Sequence, residues 1–264
     1  MRTVTFEGAD HHYEIAGEGP ALVFLHGLGA SSAIWDDVSS RLVQHFTVVL
    51  PDLRGSGRTR ESGRAPLSFD RWAADLRAVI ADTGVEHPTL IGHSLGANIA
   101  LSYTLRWPLD VRALVLMASD PHLAQLAPRM ERTIELIDDV GLAAWVDDHW
   151  STNPPFSERS LGRSPEILTR YRAMVLRNDP DSYRRTCQAI ASSDDLTSRL
   201  ALIEVPVLVL AGSEDDRTPS AASWELAERL PNGHCVELAA VGHTIPYEAP
   251  EEAATAVLEF LEAI

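Results

Sequence analysis

With 264 residues, 45% of them hydrophobic, the chain can build one large α/β core, with or without a sizeable insertion. A net charge of −16 argues against nucleic acid and anionic membrane surfaces as partners. All 22 basic residues are arginine, which excludes Schiff-base chemistry, a lysine general base and a P-loop lysine.

Met1 to Asp10 contains no apolar signal core, and no run of about 18 apolar residues follows anywhere. A soluble cytoplasmic protein is therefore expected. Thr3–Phe6 and Tyr13–Ala16 read as an antiparallel edge hairpin. Gly8 to His12 between them reads as an exposed turn, with no partners that would make His11 and His12 metal ligands. Ala21–Leu25 is the first continuous apolar run, of the kind buried on both faces of a parallel sheet. It ends in His26-Gly-Leu-Gly29, before a helix around 34–45. Thr47–Leu50 is a second such strand, leading into the turn-rich Pro51-Asp-Leu-Arg-Gly-Ser-Gly57.

Phe69–Thr83 has helical spacing at Trp72, Leu76, Val79 and Ile80 and stops at Gly84. Then comes Thr89-Leu-Ile-Gly-His-Ser-Leu-Gly-Ala97, a short buried strand turning sharply into an Ala-rich helix over 97–107. Gly92-His-Ser-Leu-Gly96 is a G-x-S-x-G pattern in the strand–turn–helix setting that gives it meaning. Gly92 and Gly96 are required because a Cβ at either would jam the strand against the helix. Ser94 is then exposed at a helix N-terminus, where negative charge is favoured.

Val111–Met117 continues the alternation of strands and helices, which calls for a mainly parallel sheet covered on both faces. Residues 121–200 break the rhythm. They show helical patterns at 128–140, 142–150, 165–177 and 181–191 and no buried strand, so an all-helical insertion is expected there. Its ten arginines nearly balance twelve acids, which leaves the charge excess on the remainder. The α/β pattern resumes with a strand at 205–211, a helix at 219–230, a strand at 234–239 and a closing amphipathic helix from Pro250. The expected division is a core of 1–120 with 201–264, and an inserted unit of 121–200. Cys187 and Cys235 have no metal spacing and fit a reducing compartment. No metal site and no cofactor are expected.

A serine becomes a nucleophile when a base takes its proton and a third group orients that base. Of the ten histidines, His243 in Ala240-Val-Gly-His-Thr244 has the right context, after the last predicted strand. His26 and His93 lie near the pocket without a free role. Glu214, Asp215 and Asp216 follow the 205–211 strand and supply the candidate acids, with Asp120 as a rival past Met117. An oxyanion needs two donors, worth about 3 kcal/mol each. The N–H of Leu95 follows the serine directly, and Leu28 in the His26–Gly29 loop is the second candidate.

These marks together resemble the α/β-hydrolase fold over essentially the whole chain. The motifs are His26-Gly27-Leu28-Gly29, Asp52-Leu-Arg-Gly-Ser-Gly57, Gly92–Gly96, Gly212-Ser-Glu-Asp215 with Thr218-Pro219, and Gly242-His243. The resemblance implies an eight-stranded, mostly parallel sheet, a helical cap at 121–200 inserted after the sixth strand, and Asp215 as the acid. The order Ser94, Asp215, His243 is the one expected on this fold. A finer similarity, through Asn178–Ile190 and Asp194-Asp-Leu196, is to β-ketoadipate enol-lactonases and related esterases. At the elbow the chain departs from it, with His93 and Leu95-Gly-Ala-Asn98 in place of a Met-Gly-Gly run.

The expected activity is hydrolysis of a small carboxylic ester or lactone through an acyl-enzyme on Ser94. A carbon–carbon hydrolase, a thioesterase, a cofactor-free oxygenase and a non-catalytic ligand-binding protein are the alternatives on this scaffold. Aspartate-nucleophile enzymes of similar appearance are disfavoured by Ser94. Trp145, Trp150, Phe156, Tyr171 and Met174 are candidates to line an apolar substrate pocket, or else to pack the helices of 121–200 together. Arg170, Arg177 and Arg184 are candidates to pair with a substrate carboxylate.

Overall fold

The computed structural model describes residues 2–264. Its strands are β1 (Arg2–Phe6), β2 (Ala9–Ala16), β3 (Ala21–Leu25), β4 (Thr47–Pro51), β5 (Arg60–Glu61), β6 (Thr89–His93), β7 (Ala113–Met117), β8 (Val207–Gly212) and β9 (Gly233–Leu238). β3, β6, β7 and β8 are buried at every residue, as unbroken apolar runs in a doubly covered sheet should be. The eight longer strands run in the order β1-β2-β4-β3-β6-β7-β8-β9. Pairing is parallel from β4 through β9, and antiparallel where β2 meets β1 and β4. The two-residue β5 adds a small antiparallel pairing to β2, which no apolar run foreshadows.

Helices α1 (Asp36–Leu42), α2 (Phe69–Thr83) and α3 (Leu95–Arg106) follow β3, β5 and β6. α2 packs on α3. It begins where the Ser68 hydroxyl accepts from the Arg71 N–H, and it ends at Gly84, whose left-handed φ of 73° a side chain would resist. Between β7 and β8 the chain forms α4 (Ala127–Val140), α5 (Leu142–Thr152), α6 (Glu158–Arg163), α7 (Glu166–Val175) and α8 (Pro180–Ala191), with no strand among them. α4 packs against both α5 and α8. α9 (Ser220–Arg229) covers β8 and β9. The short α10 (Ile245–Glu248) and the closing α11 (Pro250–Glu262) follow, with α11 packed on α1. Among the described residues, no helix is long and apolar enough to cross a membrane.

The hairpin reading needs a correction. The turn is at Glu7-Gly8, and β2 starts at Ala9, so His11 and His12 lie in a strand at 1% and 5% exposure. Alternation along the strand was masked because both side chains are polar. His11 Nε2 lies 3.3 Å from Asp75, which also takes two bonds from Arg54, so a buried charge network replaces apolar packing there. Arg54 and neighbouring His11 hold the Asp75 carboxyl below its ordinary range against the opposing effect of burial, and the Trp72 indole donates to the Arg54 carbonyl at 3.1 Å. The loop after β4 is thereby anchored to α2.

Candidate active site

The sheet order reverses direction between β3 and β6, since the chain builds outward to β4 on one side and to β6, β7, β8 and β9 on the other. Loops leaving the C-terminal ends of strands converge beside such a switch. Leu28 follows β3, Ser94 follows β6, Asp215 follows β8 and His243 follows β9. The structure brings all four to one pocket wall or its immediate support.

Ser94 is the N-terminal boundary residue of α3, with φ 53° and ψ −115°. A non-glycine residue at such angles is strained by about 1–3 kcal/mol and persists only when its surroundings enforce it. They do. A Cβ on Gly96 would come within 2.1 Å of the Leu25 carbonyl oxygen, and one on Gly92 within 2.5 Å of the Ala97 backbone. The Ser94 N–H also donates to the Met117 carbonyl at 2.8 Å, joining the turn to β7.

His243 Nε2 lies 3.2 Å from Ser94 Oγ, and His243 Nδ1 lies 2.9 Å from Asp215 Oδ2. A carboxylate only accepts, so Nδ1 carries the proton and Nε2 presents its lone pair to the serine. Asp215 is buried, which by itself would raise its pKa. The His243 imidazole and the backbone N–H groups of Thr218 and Arg217 outweigh that and hold it below its ordinary value. Those two N–H groups reach Asp215 Oδ1 at 2.9 and 2.8 Å. The rivals stand elsewhere. Asp120 Oδ1 accepts from the N–H of His122 and lies 3.0 Å from its Nδ1, while Glu214 and Asp216 are exposed.

Two residues that the sequence reading left without a role hold the His243 loop. His93 Nε2 donates to the His243 carbonyl at 2.8 Å. Glu248 Oε2 accepts from Gly242 N–H at 3.0 Å and from Ser157 N–H at 2.8 Å, and Oε1 accepts from Thr244 N–H at 3.1 Å. The carboxylate thus clamps both sides of His243 and ties them to the segment before α6. No short motif announces this, because Glu248 looks like an ordinary acid at a helix end.

The N–H groups of Leu28 and Leu95 have no backbone partner among the described residues, and both residues border the pocket at Ser94. The loop that carries Leu28 is shaped by His26. Its Nε2 accepts from Leu53 N–H at 3.0 Å, so Nδ1 bears the proton and donates to the Gly27 carbonyl at 2.9 Å. Asn178 braces the same loop from the turn between α7 and α8, its amide donating to the Gly29 carbonyl at 2.6 Å while its oxygen accepts from Gly57 N–H at 3.3 Å.

A cavity of about 320 Å³ opens above Ser94. Trp145, Trp150 and Tyr171 line it as expected, but Phe156 and Met174 do not. Phe156 is buried edge-on against the Tyr171 ring at 5.5 Å, and Met174 is buried on the inner face of α7, so both pack behind the wall. Leu123, Leu126, Met130, Thr133 and Leu136 supply a wall that the sequence reading missed. Their spacing by three and four, from Leu123 and Leu126 in the turn before α4 to Met130, Thr133 and Leu136 on it, is the signal that could have found it. None of Arg170, Arg177 or Arg184 reaches this cavity. Arg184 pairs with Asp138 and Asp181, Arg170 lies over the Tyr247 ring, and Arg177 borders a separate polar groove. Arg217, Arg129 and Arg132 line it instead, Arg132 being paired with Glu135. Among the described residues, no cluster of three His, Cys, Asp or Glu side chains could hold a metal ion, and both cysteines are free and buried.

A family profile described as the alpha/beta hydrolase fold matches residues 20–250, and the chain belongs to that family. The pimeloyl-[acyl-carrier protein] methyl ester esterase of Nitrosomonas europaea is 31% identical over 253 residues, spanning 92% of this chain and 96% of that one. Est816, described as an N-acyl homoserine lactone degrading enzyme, superposes with a TM-score of 0.86 at 26% identity, covering 98% of this chain and all of that one (100%). The enol-lactonase from Burkholderia xenovorans LB400 superposes with a TM-score of 0.88 over 99% of this chain and 100% of that one, and at 24% identity it shares the fold.

Proposed function

We propose that this hydrolase cleaves a small carboxylic ester or lactone through an acyl-enzyme on Ser94. The single observation that carries the reading is the relay Ser94 Oγ, His243 Nε2, His243 Nδ1, Asp215 Oδ2, with separations of 3.2 and 2.9 Å across its two polar contacts. His243 takes the serine proton as Oγ attacks the carbonyl carbon, then returns it to the departing alkoxide. Asp215 keeps the imidazole in the productive tautomer and stabilises its charged form. The oxyanion is received by the free N–H groups of Leu28 and Leu95. A water deprotonated by His243 then attacks the acyl carbon, the bond from that carbon to Ser94 Oγ breaks as the imidazolium returns its proton to Oγ, and the acid leaves.

Residues 121–200 act in this reading as a cap, since together they supply more than half of the residues lining the cavity at Ser94. Covering the site with the helices of this segment limits water access, which strengthens polar interactions with the developing charge. The relatives described as an ester esterase and a lactone-degrading enzyme favour the carboxylic-ester and lactone class. The test is labelling by a fluorophosphonate probe. We expect one probe per chain at Ser94, none in Ser94→Ala, and a loss of labelling rate of at least about 1,000-fold in His243→Ala. A wild-type protein that neither takes the probe nor hydrolyses short-chain esters would end this reading.

A further inference from the structure

The cavity above Ser94 contains a cation that the protein does not neutralise. Arg217 lies two residues past Asp215, and its Nη2 donates to the Asn153 carbonyl at 2.7 Å. Its Nε is buried without a partner. No described carboxylate forms an ion pair with it. Asp215 is engaged by His243, Asp120 by His122, and Asp216 points its exposed side chain elsewhere than into an ion pair. Burial first, and then the guanidinium of Arg129, lower the pKa of Arg217, so the charge sits where it is least comfortable. Arg129 stands exposed at the rim, donating to the Arg217 carbonyl at 3.3 Å, and it too has no carboxylate partner among the described residues.

Two phenols face the same space. Tyr171 and Tyr183 both line the cavity, and neither hydroxyl has a hydrogen-bond partner among the described residues. Burial pushes Tyr171 up to about 12 and Tyr183 well above its usual value, which keeps both protonated as donors. Beyond Arg129, α4 contributes Met130, Thr133 and Leu136 to the wall, together with Arg132, which is paired with Glu135. A half-buried guanidinium with most of its donors free costs free energy until an anion occupies it. Arg217 is flanked by two neutral donors and apolar surface, with Arg129 at the rim, and Asp120 also lines the cavity, so a monoanion is favoured over a dianion such as a phosphate.

We infer that the substrate is an ester or lactone bearing a free carboxylate remote from the scissile carbonyl, held by Arg217 with Tyr171 and Tyr183 donating to it. Arg129 at the rim draws the anion inward. This assignment rests on the hydrolytic reading of Ser94 and names the substrate class within it.

The experiment compares charged and capped substrates on the intact chain. Monomethyl esters of the linear dicarboxylic acids from four to eight carbons are set against their dimethyl esters, and O-acetyl hydroxy acids against their methyl esters. Acid release is followed in a pH-stat. We expect at least one charged substrate to exceed its capped counterpart in kcat/KM by at least about 30-fold, and Arg217→Gln to lower that ratio by at least about 10-fold, towards unity. Arg217→Lys should recover part of it. Because the readout is a ratio, a general loss of activity in a variant does not imitate the result. Hydrolysis of both members of every pair without preference for the charged one overturns the inference and leaves the hydrolytic reading standing. If no ester is turned over, protection of Ser94 from the fluorophosphonate by the monoamides of glutaric or adipic acid, which carry one carboxylate, but not by the diamides, decides it in the same way. A protein that never takes the probe overturns both.

Discussion

The imidazole of His93 donates through Nε2 to the backbone carbonyl of His243 at 2.8 Å, with the two rings 5.1 Å apart. The residue before Ser94 therefore holds the loop that carries His243. His93 Nδ1 is buried and unpartnered, and a Cβ on Gly27 would approach it to 2.9 Å, so the same ring also touches the loop of Leu28.

Burial, then the nearby His243, lower the pKa of His93 to about 3. Above about 6.5 this histidine is neutral in the folded and unfolded chains alike, and the shift has no effect. As pH falls below that value the unfolded chain takes up a proton that the folded one refuses, so stability declines by up to about 1.4 kcal/mol per pH unit from this group. His93→Gln keeps an N–H donor and removes the titration. Urea unfolding between pH 6.5 and 5 should show a slope for the variant that is shallower by about one proton's worth. An unchanged slope would mean that His93 is protonated in the folded protein.

Ser94 pays for its position in backbone strain. Ser94→Gly should abolish probe labelling and yet raise the unfolding free energy by about 1 kcal/mol, because glycine accepts φ near 53° without a Cβ conflict. Ser94→Ala should be inactive without that gain. Denaturant midpoints of the two variants, measured side by side, check the difference.

Glu248 acts through its neighbours. Glu248→Ala frees the Gly242, Ser157 and Thr244 N–H groups at once and loosens the loop of His243. The expected result is a fall in kcat of about 10- to 100-fold with little change in KM, as for a misplaced base. Glu248→Gln should recover part of the loss, having one acceptor oxygen in place of two. A variant with an intact kcat would show that the loop holds His243 without this clamp.

Asn178→Ala removes the amide bond to the Gly29 carbonyl and the acceptor for Gly57 N–H in a buried setting. A loss of about 1–3 kcal/mol in stability is expected from the unsatisfied backbone groups. The rate should fall more for poorly activated esters than for p-nitrophenyl esters, since the former depend more on the donors at Leu28 and Leu95. Equal losses on both substrates would detach Asn178 from the oxyanion loop.

Much of the core was legible before any coordinates. β3, β6 and β7 are short apolar runs bounded by turn formers, and α2 has its hydroxyl cap, its stripe and its terminal glycine in plain view. The helices of 121–200 were readable from their periodicity and from Asn178-Asp-Pro180, where the Asp179 side chain caps α8. Ser94 and His243 could be picked out because their chemistry requires particular local turns. β5 and α6 were not readable, since two paired residues and a six-residue polar helix carry almost no pattern. His11 and His12 were misread because a strand buried around charged partners has no apolar alternation to display.

The local pattern along the chain determined the alternation of strands and helices, the glycine-enforced turn at Ser94, and the absence of any lysine chemistry. Each of these depends on residues within a few positions of one another. Three-dimensional packing decided which acid meets His243, that Glu248 and Asn178 brace the two loops, that Phe156 and Met174 sit behind the pocket wall, and that Arg217 faces the cavity while Arg170, Arg177 and Arg184 do not. Most of those outcomes join groups far apart along the chain, 28 residues for Asp215 and His243 and 149 for Asn178 and Gly29. They are settled by the direction a side chain takes once strands and helices have packed, which sequence spacing does not encode.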